Sequence, residues 1–120
     1  MVNQRSQHLD AVFHALSDPT RRGMLRRLAR REWAVTELAA PYDMSLAAAS
    51  KHIKVLEHAG LVHRTIQGRT HICRLASAPL ATAHEWLDFY AQFWTTSLDI
   101  LEGLLSSEKR KRPAKGASDE

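Results

Sequence analysis

Residues 45–75 read SLAAASKHIKVLEHAGLVHRTIQGRTHICRL, and no other stretch narrows the fold as far. Ser45 is of the type that caps a helix. Ala49, Ile53 and Leu56 then recur three or four apart on one helical face, and Gly60 permits the left-handed turn on which a helix closes. β-Branched and apolar residues follow over 61–66 and 70–75, flanking Gln67-Gly68-Arg69, which is the pattern of a hairpin with Arg69 at its tip. A short helix with one face to bury, followed at once by two strands, needs a small helical body to pack against.

The remaining sequence supplies that body. Residues 5–17 carry Leu9, Val12, Phe13 and Leu16 at helical spacing. Ser17-Asp18-Pro19 stops this first helix and starts a second, with Asp18 as cap and Pro19 in the first helical position. The second helix is expected to run to 30 with Met24, Leu25 and Leu28 inward. Trp33-Ala34-Val35 reads as a bridge to Thr36, which caps a third helix over 36–43, Val35 serving as a hydrophobic staple. After Pro79 a long helix spans 80–105. Its apolar residues form two adjoining stripes, Trp86, Phe89, Phe93, Ile100 and Leu104 beside Leu87, Tyr90, Trp94, Leu98, Leu101 and Leu105. This is more apolar surface than one small domain covers, so about half is expected in a core against the first helix and the rest against a second subunit. Residues 107–120 lack periodicity and read as a disordered basic tail. The expected fold is mainly α with a small β-hairpin, in one domain over 1–106.

A length of 120 residues with 44% hydrophobic content suits a single domain. No apolar run approaches a membrane span, and MVNQRSQHLD lacks the apolar core of a signal peptide, so a cytoplasmic protein is expected. The single Cys73 excludes an intramolecular disulfide framework and reads as a reduced, buried thiol. Net charge is +4, with six arginines between 21 and 31, then Lys51, Lys54, Arg64, Arg69 and Arg74. Taken singly each is a solvated helix face. Clustered around 45–75 they suit a polyanion.

An α-helix fits the DNA major groove and reads base edges with its amino-terminal residues. Here those are Leu46, Ala47, Ser50 and Lys51, with Lys54 one turn later. Ser50 donates or accepts, Lys51 reaches a guanine edge or a phosphate, and Leu46 or Ala47 touches a thymine methyl. Thr36 and Ser45, besides capping, present backbone amides where phosphates bind. Arg64, Arg69 and His71 on the hairpin suit the flanking backbone or minor groove. An enzyme would need a nucleophile with a base, or paired carboxylates. Cys73 and His71 share a strand face, but no third group accompanies them. The other class kept open is a winged helix used for protein contacts, which salt dependence separates from DNA binding.

ALSDPTRRGMLRRLA (15–29), VTELA (35–39), SLAAASKHIKVLEHAGLV (45–62) and GRTHICRL (68–75) resemble the ArsR/SmtB family of bacterial winged-helix repressors, with order and spacing kept over about 8–105. The resemblance implies a winged helix-turn-helix of four helices, two strands and a fifth helix. It implies a homodimer through the first and last helices, with Leu9, Phe13, Trp86, Phe89, Tyr90, Phe93, Trp94, Leu98 and Leu101 at the interface. It also implies a palindromic double-stranded DNA operator, repression relieved by an inducer, and a DNA-reading role for Leu46, Ala47, Ser50 and Lys51.

Arsenic, cadmium and lead sensors of the family carry a cysteine pair in the third helix, where this chain has ELAAPYDM. Zinc and nickel sensors place Asp and His ligands along the last helix, which here offers only His84 and Asp88. These lie four apart and read first as a solvated pair, although two protomers together would bring four such ligands. YAQFWTTSLDILEGLL resembles instead the branch without these motifs, whose members often repress their own genes or respond to other signals, so no cofactor is expected and an unidentified small-molecule inducer is left open. A metal-responsive repressor with a non-standard site is the alternative. His52 is expected to make a structural hydrogen bond, and Cys73 stands where relatives often have Tyr.

Overall fold

The computed structural model describes residues 4–111, with side chains over 7–108. The elements follow in the order α1 (Gln4–Leu16), α2 (Pro19–Leu28), β1 (Trp33–Ala34), α3 (Val35–Ala39), α4 (Leu46–His58), β2 (Val62–Gln67), β3 (Thr70–Leu75) and α5 (Ala78–Lys111). Mainly helical, with an antiparallel wing, this is the winged helix-turn-helix that the sequence predicts. Two compact units divide the chain, one ending at His84 and the other starting at Glu85, so the division falls within α5.

In the first unit the corners come from local chemistry. The Asp18 carboxylate accepts the Arg21 backbone N–H at 3.0 Å, and Pro19 opens α2 without forfeiting a helical hydrogen bond. The Ser45 hydroxyl accepts the Ala48 N–H at 3.1 Å and starts α4. At the other end of α4 the Gly60 N–H donates to the Glu57 carbonyl and the Leu61 N–H to the Leu56 carbonyl, both at 2.9 Å, with Gly60 at φ +76°. This double closure turns the chain directly into β2. Gln67 pairs with Thr70, leaving Gly68 (φ +64°) and Arg69 as a two-residue turn. Met24, Leu25 and Leu28 of α2 meet Val12 of α1, Leu38 of α3, and Ala49, Ile53 and Leu56 of α4 in one buried cluster, against which Leu9 and Phe13 are half-buried.

Besides α2, which ends at Leu28 and not at 30, three boundaries differ from the sequence expectation. Trp33 and Ala34 form a strand and not a bridge, pairing with Cys73 and Ile72 to give the sheet order β1-β3-β2. α3 begins at Val35 and ends at Ala39. Its cap position is Ala34, whose N–H donates to Oε1 of Glu37 at 3.3 Å. Thr36 is therefore the second residue of the helix and does not cap it, and Pro41 keeps the helix from reaching 43 because it has no N–H to continue the helical hydrogen bonds, although Ala40 before it is still helical. α5 starts at Ala78 and continues to Lys111. The tail expected from 107 is thus helical over 107–111, while 112–120 lie outside the described residues.

The second unit is the long remainder of α5. Its rings make contacts along the helix itself, Trp86 with Tyr90 at 4.8 Å and Phe89 with Phe93 at 5.9 Å between centroids. Every residue of the two apolar stripes is exposed, where half were expected in a core. This length of helix forms a unit of its own. No helix among the described residues is long and apolar enough to cross a membrane.

Candidate nucleic-acid interface

The Ser45 cap leaves the first turn of α4 open to solvent. Leu46 is 55% exposed, Ala47, Lys51 and Lys54 are exposed, and Ser50 is half-buried. Beside this turn runs a groove bounded by Thr36 of α3, Leu46 and Ser50 of α4, and Arg64, Arg69 and His71 of the wing. Residues up to 35 positions apart in sequence thus share one concavity. Ala47, Lys51 and Lys54 are not among its lining residues, and the Ser45 hydroxyl is committed to its cap.

Arg64 differs from the free cation that its sequence position suggests. Its Nε and Nη2 donate to the two carboxylate oxygens of Glu57 at 3.2 and 2.6 Å, and its Nη1 lies 3.4 Å from Nδ1 of His71. The guanidinium fork fastens β2 to the end of α4, and Glu57 offsets its charge. Nothing in the spacing marked Glu57, because the pair forms only after Gly60 reverses the chain. Arg69, at the turn, is exposed.

The arginines of α2 are also largely structural, contrary to their reading as part of a polyanion footprint. Arg21 is 8% exposed. Its Nε donates to the Ala15 carbonyl and its Nη2 to the His14 carbonyl, each at 2.9 Å, and its Nη1 is 3.1 Å from Nδ1 of His52. This is the hydrogen bond expected of His52, and it ties α4 to the end of α1. Arg22 donates to the Leu16 carbonyl at 2.8 Å. Arg27 and Arg31 lie over the Trp33 ring, 4.1 and 3.4 Å from its centroid. Arg27 also donates to the Leu38 carbonyl at 2.5 Å. Arg26 and Arg30 are exposed. The exposed cations on α4 and the wing are therefore Lys51, Lys54, Arg69 and Arg74.

The hydrogen bond from the Arg21 backbone holds the Asp18 carboxyl below its usual range of about 3.8, with smaller help from the nearby His52 and Arg21 and against the effect of burial. Cys73 is fully buried, and burial raises its thiol above the ordinary value. His84 and Asp88 are exposed, and among the described residues no three His, Cys, Asp or Glu side chains cluster as metal ligands.

An open helix start presenting small and basic residues, a short helix before it and a cation-tipped β-wing behind it define a winged helix-turn-helix protein of the DNA-binding kind. The family model described as a helix-turn-helix domain matches residues 16–65. The HTH-type transcriptional regulator Rv2034 of Mycobacterium tuberculosis is 38% identical over 99 residues, covering 82% of this chain and 90% of that protein. The transcriptional repressor SmtB homolog of Synechocystis sp. is 35% identical over 76 residues, covering 63% of this chain and 58% of that protein. Among solved structures, the crystal structure of the ArsR family transcriptional regulator RHA00566 superposes with a TM-score of 0.71 at 38% identity, over 79% of this chain and 97% of that one. The chain belongs to the ArsR/SmtB family of winged helix-turn-helix transcriptional regulators.

Proposed function

We propose that this regulator is a homodimeric repressor that binds a palindromic DNA operator and responds to a signal other than a transition metal. The observation that carries the reading is the groove where the amino-terminal turn of α4 meets the wing, with Leu46, Ser50, Arg69 and His71 on one surface. In this reading α4 enters the major groove, Leu46, Ala47, Ser50 and Lys51 face base edges, and Lys54 and Arg69 hold phosphates. Arg64 acts at one remove by fixing the wing to α4. Repression is supported by the Synechocystis relative, itself a transcriptional repressor SmtB homolog, and a dimer by the exposed apolar length of α5. The protein works in the cytoplasm, possesses no catalytic site and represses genes that include its own.

Fluorescence anisotropy with sites selected from random DNA tests the proposal. Binding is expected to weaken steeply with salt as phosphates release counterions. Lys51→Ala should cost about 1 to 3 kcal/mol, with altered base preference if Lys51 meets a base edge and a uniform loss if it meets phosphate. Affinity unchanged by salt and by Lys51→Ala would point instead to a protein-contact module. Release of DNA by stoichiometric zinc, cadmium, nickel, copper or arsenite would refute the metal-independent signal.

A further inference from the structure

A second concavity lies wholly within the first unit, between α1, the closed end of α4 and the first turns of α5, with a volume of about 310 Å³, at the lower end of the 300 to 1,000 Å³ of ordinary ligand pockets. We infer that this cavity binds a small neutral or singly charged organic molecule of one or two rings, and that its occupation weakens DNA binding by displacing the end of α4.

The lining selects the ligand class. Leu9 and Val12 of α1 with Ala59 and Pro79 form apolar walls, while His8, His58 and Thr82 place hydrogen-bonding groups at the edge. Among the described residues no Lys, Arg, Asp or Glu lines the cavity, so against these walls a nucleotide or any other multiply charged molecule would be desolvated without a counter-charge. The start of α5 does not compensate for this. Pro79 has no N–H, and the N–H groups of Leu80 and Ala81 already donate to the Ser77 carbonyl at 3.0 and 3.1 Å. What remains is a small, largely apolar volume with a few polar groups in its lining, of a size for a ring carrying one or two hydrogen-bonding groups.

The same walls supply the coupling. A Cβ added at Gly60 would lie 3.3 Å from Cγ of Pro79, so the turn that closes α4 and the first turn of α5 leave no room for a side chain between them. The Ala76 N–H donates to the Leu61 carbonyl at 2.8 Å and holds this junction from behind. A molecule held against His58 and Ala59 bears directly on the closed end of α4, so any push it exerts there moves that end relative to α1. α4 is a 13-residue helix, a rod of about 20 Å at 1.5 Å per residue, so a shift at one end re-aims Leu46 to Lys51 at the other. This consequence, though not the site itself, rests on the DNA-binding reading.

The test uses the full chain and two probes, indole and benzoate. Titration followed by amide nuclear magnetic resonance should give saturable shifts for at least one probe, concentrated at residues 8–12, 58–60 and 78–82. Thr82→Phe, which fills the cavity from its wall, should weaken that probe by at least about tenfold, and Leu9→Trp does the same from the opposite wall should the first variant fold poorly. His58→Gln should move the shifts at 58–60 and leave the unfolding midpoint in place. Absence of saturable shifts for both probes, shifts centred on Trp86 to Trp94, or indifference to both filling variants would overturn the site. In a separate anisotropy measurement on selected DNA, the bound probe should weaken binding for the parent chain and not for the filled variant. Unchanged affinity with the probe bound would overturn the coupling and leave the site standing, while a chain that never binds DNA would refute the functional reading and leave the resonance result intact.

Discussion

Arg21 shows how far a side chain's role departs from its residue type. In sequence it is one of six closely spaced arginines, yet its Nε and Nη2 satisfy the His14 and Ala15 carbonyls at the end of α1, where no intrahelical donor remains. Arg21→Ala would leave the Ala15 carbonyl and His52 without this donor, while the His14 carbonyl keeps the Ser17 N–H and hydroxyl, and should cost about 2 kcal/mol in urea unfolding. Arg26→Ala, at an exposed position of the same helix, should stay within about 0.5 kcal/mol. Lysine at 21 should not restore the loss, because an ammonium group cannot hold three partners in the geometry of the planar fork. Asp18 provides a pH dependence at the same corner. Its carboxyl is held below 3.8, chiefly by the Arg21 N–H, so the charged form stabilises the fold. That contribution is complete above the unfolded value near 4 and disappears as pH falls through the lower native value. Asp18→Asn keeps a capping oxygen and removes the charge, so the stability difference between parent and variant should shrink in unfolding curves taken from pH 6 down to pH 2. The buried Cys73 thiol, its ionisation opposed by burial, should react with a disulfide reagent at neutral pH far more slowly in the native chain than in urea. Rapid native labelling would contradict its place in the core.

At the scale of elements, the two wing arginines should separate in experiment. Arg64→Ala breaks the fork to Glu57 and should lower stability by about 1 kcal/mol, a partly solvated pair being worth little more, with DNA affinity falling as the wing loosens. Arg69→Ala should leave the unfolding curve in place, weaken all DNA sequences alike and reduce the salt slope by about 1. If Arg69→Ala changed stability and not affinity, the tip would be structural. The contrast also marks what was legible in the sequence. α4 and the hairpin could be read because their signals are local: Ser45 caps, Gly60 and Gly68 reverse the chain, and Ala49, Ile53 and Leu56 fall on one face. β1 could not, since two residues show no alternation and Trp33 and Ala34 become a strand only by pairing with Cys73 and Ile72 far along the chain. The start of α3 moved for a similar reason, with Glu37 reaching back to the Ala34 N–H and displacing Thr36 from the cap. Of the candidate site, exposure at the start of α4 followed from helical phase, whereas the Glu57 partner of Arg64 depended on how tightly Gly60 folds the strand back.

For the whole molecule, the question is what the exposed length of α5 does. Phe89, Phe93, Trp94 and Leu98 are each more than half exposed, between 53% and 59%, and they follow one another at spacings of four, one and four residues along one helix. Contiguous aromatic surface of this extent in a single copy favours self-association, and the proposed operator requires two heads, since half-sites stand about 34 Å apart, one helical turn of DNA. Phe93→Ala and Trp94→Ala should therefore shift sedimentation equilibrium from dimer towards monomer, and each should weaken binding to a selected palindrome far more than binding to one isolated half-site. A truncated ring that merely destabilised the head would weaken the two DNAs equally. A variant that stayed dimeric while losing palindrome affinity would place the subunit contact elsewhere on the chain, leaving the aromatic helix as a surface for another partner. Asymmetry between palindrome and half-site, read together with the mass, tests whether dimerisation itself supplies the affinity that the small reading face of α4 lacks.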